Sequence, residues 1–350
     1  MSNPIGYYIH HQGAGHRQRA LAIANAAPGR FTLIGTGLAG LAGPFDRLDL
    51  PDDRMTGVDA FTGEDATSER PMGLQYAPLY HEGVRARVAL MTSWIERAKP
   101  ALMVVDVSVE IAMLSRLAAT PTVYVRLSGA RDDMAHLEAF RGAKALLAPF
   151  HEDLDEPHMI DWVRAKTHYF PGLTTSAPSG GWRQDTVLFV HGMGGPPGNG
   201  ERLAALARSM PRYKWRAVGP CSEPAQRPAN LDMLGWVDDP DAEIARADVV
   251  VGGAGDGLVT AMIAAARPFI CLAQSRAFGE QGSKARRLGE LGAAVVIEDW
   301  PDLASWPRLI AAAEAMSTDA LRRLHDPDGP ARAAQFLIAT ADGSMPHADE

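Results

Sequence analysis

The sequence predicts an α/β protein of two doubly wound domains that face each other across a cleft, and three observations carry this. First, an apolar strand-like run followed by a glycine-bearing turn and a helix-forming segment occurs three times: at Ile5 to Ile9 with Gly13 and Gly15, at Val187 to Val190 with Gly192, Gly194 and Gly195, and at Val249 to Val251 with Gly252, Gly253, Gly255 and Gly257. Buried strands alternating with helices build parallel sheets, and turns at their carboxyl ends open into a crevice. Second, the stretch Leu173 to Gln184, LTTSAPSGGWRQ, is small, polar and glycine-bearing, the clearest composition break in the chain and the signature of a linker. Third, 350 residues suffice for two cores of ordinary size. The expected division is 1–172, a linker at 173–184, 185–330, and a terminal helix and tail at 331–350.

Composition narrows the class. Hydrophobic residues at 46% and charged residues at 22% mark a folded globular protein. The net charge of -8 argues against sequence-independent nucleic-acid binding, which needs clustered Lys and Arg. Two cysteines, Cys221 and Cys271, make no disulfide framework and no CxxC zinc spacing. Cys271 lies inside an apolar strand and reads as a buried thiol. The opening MSNPIGYYIHH lacks the basic and apolar regions of a signal peptide, and no uncharged apolar run reaches the ~20 residues of a membrane span. A cytoplasmic location is the default expectation.

Taken in order, the first strand, Ile5 to Ile9, runs into His10, His11, Gln12, Gly13, Ala14, Gly15 and His16, and Arg17 to Ala27 follows as a helix. His16 thus sits at a helix start beside the crevice. The helix field opposes protonation there, which keeps the imidazole neutral and able to accept a proton. The same residue can equally pack or cap the turn, and His10 and His11 are rivals for the chemical role. Phe31 to Ile34 is the next strand, and Gly35-Thr36-Gly37-Leu38-Ala39-Gly40 matches the GxGxxG dinucleotide fingerprint. However, Gly43 and Pro44 arrive before a helix can form, so the anion-binding helix start is missing and a loop at the domain edge is expected. Asp46 to Pro78 is polar, rich in Pro, Gly and Asp, and reads as a long excursion.

Tyr80 to Lys99 reads as a helix with Val84, Val88, Met91 and Ile95 on one face, and with Arg85, Arg87, Arg97 and Lys99 forming a solvated basic face. Pro100 stops it. Ala101 to Val105 is a buried strand, with Asp106, Ser108 and Glu110 at its carboxyl end before a helix from Ile111 to Ala119. Thr122 to Leu127 is another strand, followed by Ser128, Gly129, Arg131, Asp132, Asp133 and His136. Polar residues at the ends of successive parallel strands share one crevice. Asp106 is placed to orient His16, as a carboxylate does in hydrolase triads, or to cap the following helix, as Ser108 would too. Arg126 and Arg131 either hold an anionic ligand or pair with Asp132 and Asp133. Lys144 to Pro149 and His168 to Pro171 complete this half.

The second half opens with Asp185 to Val190 as strand, His191 to Gly200 as a glycine and proline loop, and Glu201 to Ser209 as helix. HGMGG is reminiscent of a lipase oxyanion loop, but no GxSxG elbow exists, so a serine hydrolase of that type is excluded. Strands follow at Trp215 to Gly219 and Ala229 to Trp236, and Trp236-Val237 reads either as core or as an exposed contact. A short helix, Ala242 to Ala247, leads to the strand Val249 to Val251, the glycine turn, and a helix from Leu258 to Ala266. Unpaired N–H groups of that helix start favour an anion such as phosphate; the other reading is a turn that only packs. After the strand Phe269 to Ala273, the polar loop Gln274 to Gln281 ends in Glu280 and Gln281, a carboxylate and an amide suited to gripping hydroxyl groups. Ala293 to Ile297 is the last strand, and Leu303 to Leu324 and Ala331 to Thr340 are helices.

The glycine turn, the helix end Ala264-Ala265-Ala266-Arg267-Pro268, and Glu280-Gln281 followed by Lys284-Ala285 and Leu288 resemble the donor-binding half of the glycosyltransferases that contain the lipid-linked N-acetylglucosaminyltransferase of peptidoglycan synthesis. Gly13-Ala14-Gly15-His16, Gly192-Met193-Gly194-Gly195 and Trp236-Val237-Asp238-Asp239 agree in the same order, so the resemblance spans most of the chain. It implies two facing Rossmann-like domains, the GT-B architecture, with the acceptor on the first and a nucleotide sugar on the second. By this resemblance His16 lies where inverting members place a general base, Gly192 to Gly195 approaches the donor phosphates, Trp236 and Val237 contact the base, and the final helix packs back across both domains. One departure stands out: the acidic residue that accepts from the donor ribose falls at Ala261 here.

The expected function is therefore metal-independent, inverting transfer of a sugar from a nucleotide diphosphate, UDP- or dTDP-linked, to a hydroxyl acceptor, with no bound cofactor. His16 and Asp106 are the candidate catalytic pair. Gly192, Met193, Gly194, Gly195, Trp236, Val237, Gly253, Ala254, Gly255, Asp256, Gly257, Glu280 and Gln281 are the candidate donor-binding residues, and Gly13, Gly15, Ser108, Glu110, Arg126, Arg131 and His136 line the acceptor side. A lipid acceptor would bring peripheral membrane contact. A nucleotide-sugar 2-epimerase of the same architecture and a non-catalytic nucleotide-sugar binding protein are the alternatives.

Overall fold

The computed structural model describes residues 3–11, 14–54, 70–174, 185–192, 195–275 and 277–344. Two parallel sheets organise them. The first contains β1 (Ile5–Tyr8), β2 (Phe31–Gly35), β3 (Asp46–Asp49), β4 (Leu102–Asp106), β5 (Thr122–Val125), β6 (Ala145–Ala148) and β7 (Thr167–Tyr169), in the spatial order β3-β2-β1-β4-β5-β6-β7. The second contains β8 (Thr186–Val190), β9 (Lys214–Val218), β10 (Leu231–Gly235), β11 (Val249–Gly252), β12 (Phe269–Leu272) and β13 (Val295–Ile297), in the order β10-β9-β8-β11-β12-β13. Strand order reverses between β1 and β4 in one sheet and between β8 and β11 in the other. Ligand crevices of doubly wound sheets form at such switch points.

The strands are as apolar as their place demands. β1, β2, β4, β5 and β6 are buried along their whole length, because helices cover both faces of a parallel sheet. β3 was not anticipated: its Asp-Arg-Leu-Asp sequence is mostly exposed, yet it pairs with β2 from Thr32↔Asp46 to Gly35↔Asp49. An edge strand needs only one partner and tolerates charge, so hydrophobic pattern does not reveal it. The GxGxxG stretch is followed by β3 with no helix between, as its Gly43-Pro44 sequence requires.

The helices are α1 (Ala14–Ala26), α2 (Glu82–Ala98), α3 (Val109–Leu117), α4 (Met134–Gly142) and α5 (Asp161–Ala165) in the first lobe, then α6 (Gly200–Ser209), α7 (Pro240–Arg246), α8 (Asp256–Ala265), α9 (Glu280–Glu290), α10 (Trp306–Glu314), α11 (Asp319–Arg323) and α12 (Gly329–Ala341); of these α4, α5 and α9 were not anticipated, and α9 begins at Glu280, where a loop was expected. The basic face expected of α2 is corrected at one position. Arg87 turns inward, donating to the Tyr8 hydroxyl at 2.6 Å and to the Pro51 carbonyl at 2.7 Å, while Val88 is exposed. A guanidinium with several buried acceptors is stable where an unpaired one is not.

The two lobes share apolar contacts. Ala148, Phe150 and Leu154 of the first lobe belong to the same buried cluster as Val259, Met262 and Leu288 of the second. α12 follows the second sheet in sequence but packs on the first: Ala333, Ala334 and Leu337 join Ile5, Ile23 and Ala24 in one cluster, and Phe336 lies against Phe170. Among the described residues no helix is long and apolar enough to cross a membrane.

Candidate active site between the lobes

Asp106 ends β4 and is completely buried. It does not cap α3; the Ser108 hydroxyl does, accepting from the Ile111 amide at 3.3 Å. The Asp106 carboxylate instead faces α1. Oδ1 lies 3.0 Å from His16 Nδ1, within ion-pair reach though out of hydrogen-bond alignment, and Oδ2 accepts from Arg19 Nε at 3.0 Å. Arg19 Nη2 is also 3.0 Å from His16 Nδ1. His16 and Arg19 are three residues apart on a helix and so share a face. Burial alone would raise the Asp106 carboxyl, but the charges of Arg19 and His16 more than offset it and hold it below the usual carboxylate range.

Two further histidines flank this group. The His10 ring stacks on His11 with centroids 4.6 Å apart and lies 5.4 Å from the His16 ring. Burial, with His16 and His11 nearby, lowers His10 from 6.5 to about 3, so it is neutral at physiological pH. His11 Nδ1 lies 3.0 Å from Asp53, which also meets Arg87 at 3.2 Å. His16 contacts the buried carboxylate at the switch point.

From the second lobe, the turn Gly252 to Gly255 leads from β11 into α8. Its glycines answer to crowding: a Cβ on Gly252 would lie 2.4 Å from the Leu258 side chain, and one on Gly253 2.9 Å from Gln281 Oε1. That Gln281 oxygen accepts from the amides of Ala254, at 3.1 Å, and Gln274, at 3.0 Å. Gln281 therefore clamps the turn to the loop after β12. Asp256, the first residue of α8, meets Arg19 Nη1 at 3.3 Å and is bonded to the buried Lys284 ammonium. Burial would raise its carboxyl; the two cations hold it far below the ordinary range. Gly15 and Gly257 lie so near each other that a Cβ on Gly15 would come 3.3 Å from the Gly257 nitrogen, so that the start of α1 and the start of α8 meet across the cleft.

Other candidates settle differently. Arg126 neither lines the acceptor side nor pairs with Asp132 or Asp133: it is fully buried and makes two bonds to Asp155, at 3.0 and 2.6 Å, with Tyr169 donating to the same carboxylate at 2.5 Å. Arg131 likewise avoids Asp132 and Asp133, and its Nη2 donates to Glu280 of the other lobe at 3.0 Å. His136 joins it, with Nε2 3.2 Å from Arg131 and Nδ1 2.6 Å from Asp133. Glu110 accepts from the amides of Gln75 and Tyr76. Trp236 is not core, being 60% exposed, whereas Val237 packs against the second lobe's cluster. Space beside Gly192 is open, and Gly195 is half-buried. Gly13, Met193 and Gly194 lie outside the described residues, as does most of the linker.

Ala261 is buried in α8 and, with Gly15, Gln18, Arg19, Asp241, Asp256 and Thr260, lines a cleft cavity of about 20 Å³. Its place carries no carboxylate. Sequence reasoning missed Arg19 and Lys284 as members of the site. The position of Arg19, one helical turn after His16, was the available signal for the first; the place of Lys284 in the donor-half resemblance, four residues after Glu280, was that for the second.

No protein-family model matches the chain, and no curated protein matches it in sequence. Solved structures do match, over both lobes. The glycosyltransferase of kitacinnamycin superposes with a TM-score of 0.72 at 14% identity, covering 99% of this chain and 100% of that one. CalG4, the calicheamicin glycosyltransferase, gives 0.69 at 18% identity with 99% and 100% covered. MurG of Acinetobacter baumannii gives 0.63 at 16% identity with 97% and 99% covered, so the family to which the motifs point is represented. The fold is that of the GT-B glycosyltransferases.

Proposed function

We propose that the chain is an inverting, metal-independent glycosyltransferase that moves a sugar from a UDP- or dTDP-linked donor to a hydroxyl acceptor in the cytoplasm. The observation that carries this reading is the meeting of α1 and α8: a Cβ on Gly15 would lie 3.3 Å from the Gly257 amide nitrogen, which brings His16 and Asp106 beside the glycine turn of the other lobe.

In this reading His16 turns Nδ1–H toward Asp106 when substrate binds, giving up the contact that Nδ1 makes here with Arg19 Nη2, and Nε2 is then free to take a proton. The acceptor hydroxyl gives that proton to Nε2 as its oxygen attacks the anomeric carbon, and the bond from that carbon to the donor's diphosphate oxygen breaks. Amides at the start of α8, which Gly255 precedes, stabilise charge on the departing diphosphate. Asp106 stabilises the imidazolium. Its contact with His16 is bent here, and such contacts tighten in a substrate complex. A fold relative, UGT89C1 of Arabidopsis thaliana, is known complexed with UDP, at 13% identity and a TM-score of 0.64.

The test is His16→Ala. Transfer assayed with UDP- and dTDP-sugars should fall by about 10²–10⁴-fold, while UDP or dTDP binding measured by calorimetry stays intact. Equal loss of binding and transfer would remove His16 from the base role.

A further inference from the structure

Four residue pairs tie α9 to the first lobe. Arg131 bonds Glu280 at 3.0 Å, Glu156 accepts from Ser283 and from Arg286, and Arg287 donates to the Asp153 carbonyl at 2.9 Å. Glu280, Ser283 and Arg287 recur at the spacing of one helix face. The first of these contacts is the most constructed. Arg131 is 9% exposed, its guanidinium lies 4.9 Å over the Phe278 ring, and its Nη1 rests on His136, which is itself held by Asp133. The backbone reinforces it: the Ala130 amide donates to the Phe278 carbonyl at 2.9 Å, and Gly129, at φ 97°, approaches so closely that a Cβ would lie 2.6 Å from that oxygen. Phe278 and Gly279 both adopt left-handed backbone, φ 61° and 63°, to deliver Glu280 to this position.

Glu280 and Gln281 divide the work. Gln281 Oε1 is engaged by two amides of its own lobe. Glu280 offers Oε2 to Arg131, and among the described residues its Oε1 has no hydrogen-bond partner, while the side chain is 20% exposed. A carboxylate with one oxygen fixed by a guanidinium and the other open is a preorganised acceptor for a hydroxyl.

We infer that Arg131 of the first lobe is a positioning residue for the donor's sugar: it fixes Glu280 of the second lobe so that Oε1 accepts from sugar hydroxyls, which makes the sugar subsite complete only when the lobes are together. This rests on the glycosyltransferase reading above and adds a first-lobe residue to donor recognition. The sequence placed Arg131 on the acceptor side; the contact with Glu280 moves it to the donor side.

The experiment compares UDP with UDP-glucose and UDP-N-acetylglucosamine, and dTDP with dTDP-glucose, by calorimetry on the full chain and on Arg131→Ala, Arg131→Lys, Glu280→Gln and the Arg131→Ala/Glu280→Gln pair. Arg131→Ala should weaken nucleotide-sugar binding by about tenfold and leave the free nucleoside diphosphate unchanged, the energy of one charge-assisted hydrogen bond. Arg131→Lys should recover part of the loss, and Arg131→Ala should cost nothing further in the Glu280→Gln background. Equal weakening of nucleotide and nucleotide sugar, no weakening, or tighter sugar binding on removing Arg131 would each overturn the inference. If the wild-type chain binds no nucleoside diphosphate at all, the donor reading itself falls and takes this inference with it. A melting temperature for each variant separates lost contact from lost fold.

Discussion

Arg19 holds two carboxylates from different lobes: Asp106 at the end of β4 at 3.0 Å and Asp256 at the start of α8 at 3.3 Å. Since Lys284 also meets Asp256, two cations and two anions share a nearly dry site at the centre of the cleft. Such a group is self-consistent only when complete, because removing one partner leaves another charge buried and unpaired.

Replacing Asp256 with Ala should therefore loosen the molecule. Arg19 and Lys284 would lose their shared partner, with an expected loss of roughly 3 kcal/mol, read as a lower melting temperature. The radius of gyration from solution scattering should increase as the lobes part. An unchanged radius and melting temperature would show that the bridge contributes nothing to closure.

Asp106→Asn tests the pair at β4 separately from the bridge. An amide keeps a hydrogen-bonding partner for Arg19 but no longer stabilises a charged His16. Transfer should fall about 10²-fold in kcat, with UDP or dTDP affinity unchanged in calorimetry.

Acid should destabilise the fold through His10. Its folded pKa is about 3 against 6.5 unfolded, so on acidification the unfolded chain takes up a proton that the folded chain refuses. Stability is full above pH 6.5 and declines as pH falls from there toward 3, by on the order of a few kcal/mol. Denaturant titrations of the wild type and His10→Gln at pH 7.5 and 4.5 check the sign: the variant should lose less stability between the two.

Asp155→Ala should be the most damaging of these substitutions to the first lobe. Arg126 would be left buried without its carboxylate and Tyr169 without its acceptor, at a cost of about 3–5 kcal/mol. Thermal unfolding reads it directly, and a change under about 1 kcal/mol would contradict the assignment of the pair as a buried structural bridge.

The alternation of apolar strands with helix formers determined, from sequence alone, every strand but β3 and every helix but α4, α5 and α9, since burial on two faces and glycine turns leave local patterns that one stretch of chain displays by itself. That His16, Asp106 and the glycine turn at Gly252 to Gly257 lie at strand ends beside the cleft was legible for the same reason, since the pattern marks where each strand stops. Which charge meets which was decided only by tertiary structure. Arg19 and Asp256 are 237 positions apart and Arg131 and Glu280 are 149 apart, while Arg126, read as a ligand-binding residue, turned into the core toward Asp155. A guanidinium has the same local sequence signature whether it faces a substrate, a carboxylate across a cleft or one in the interior, and only the packing of two separately folded sheets brings the partner within 3 Å.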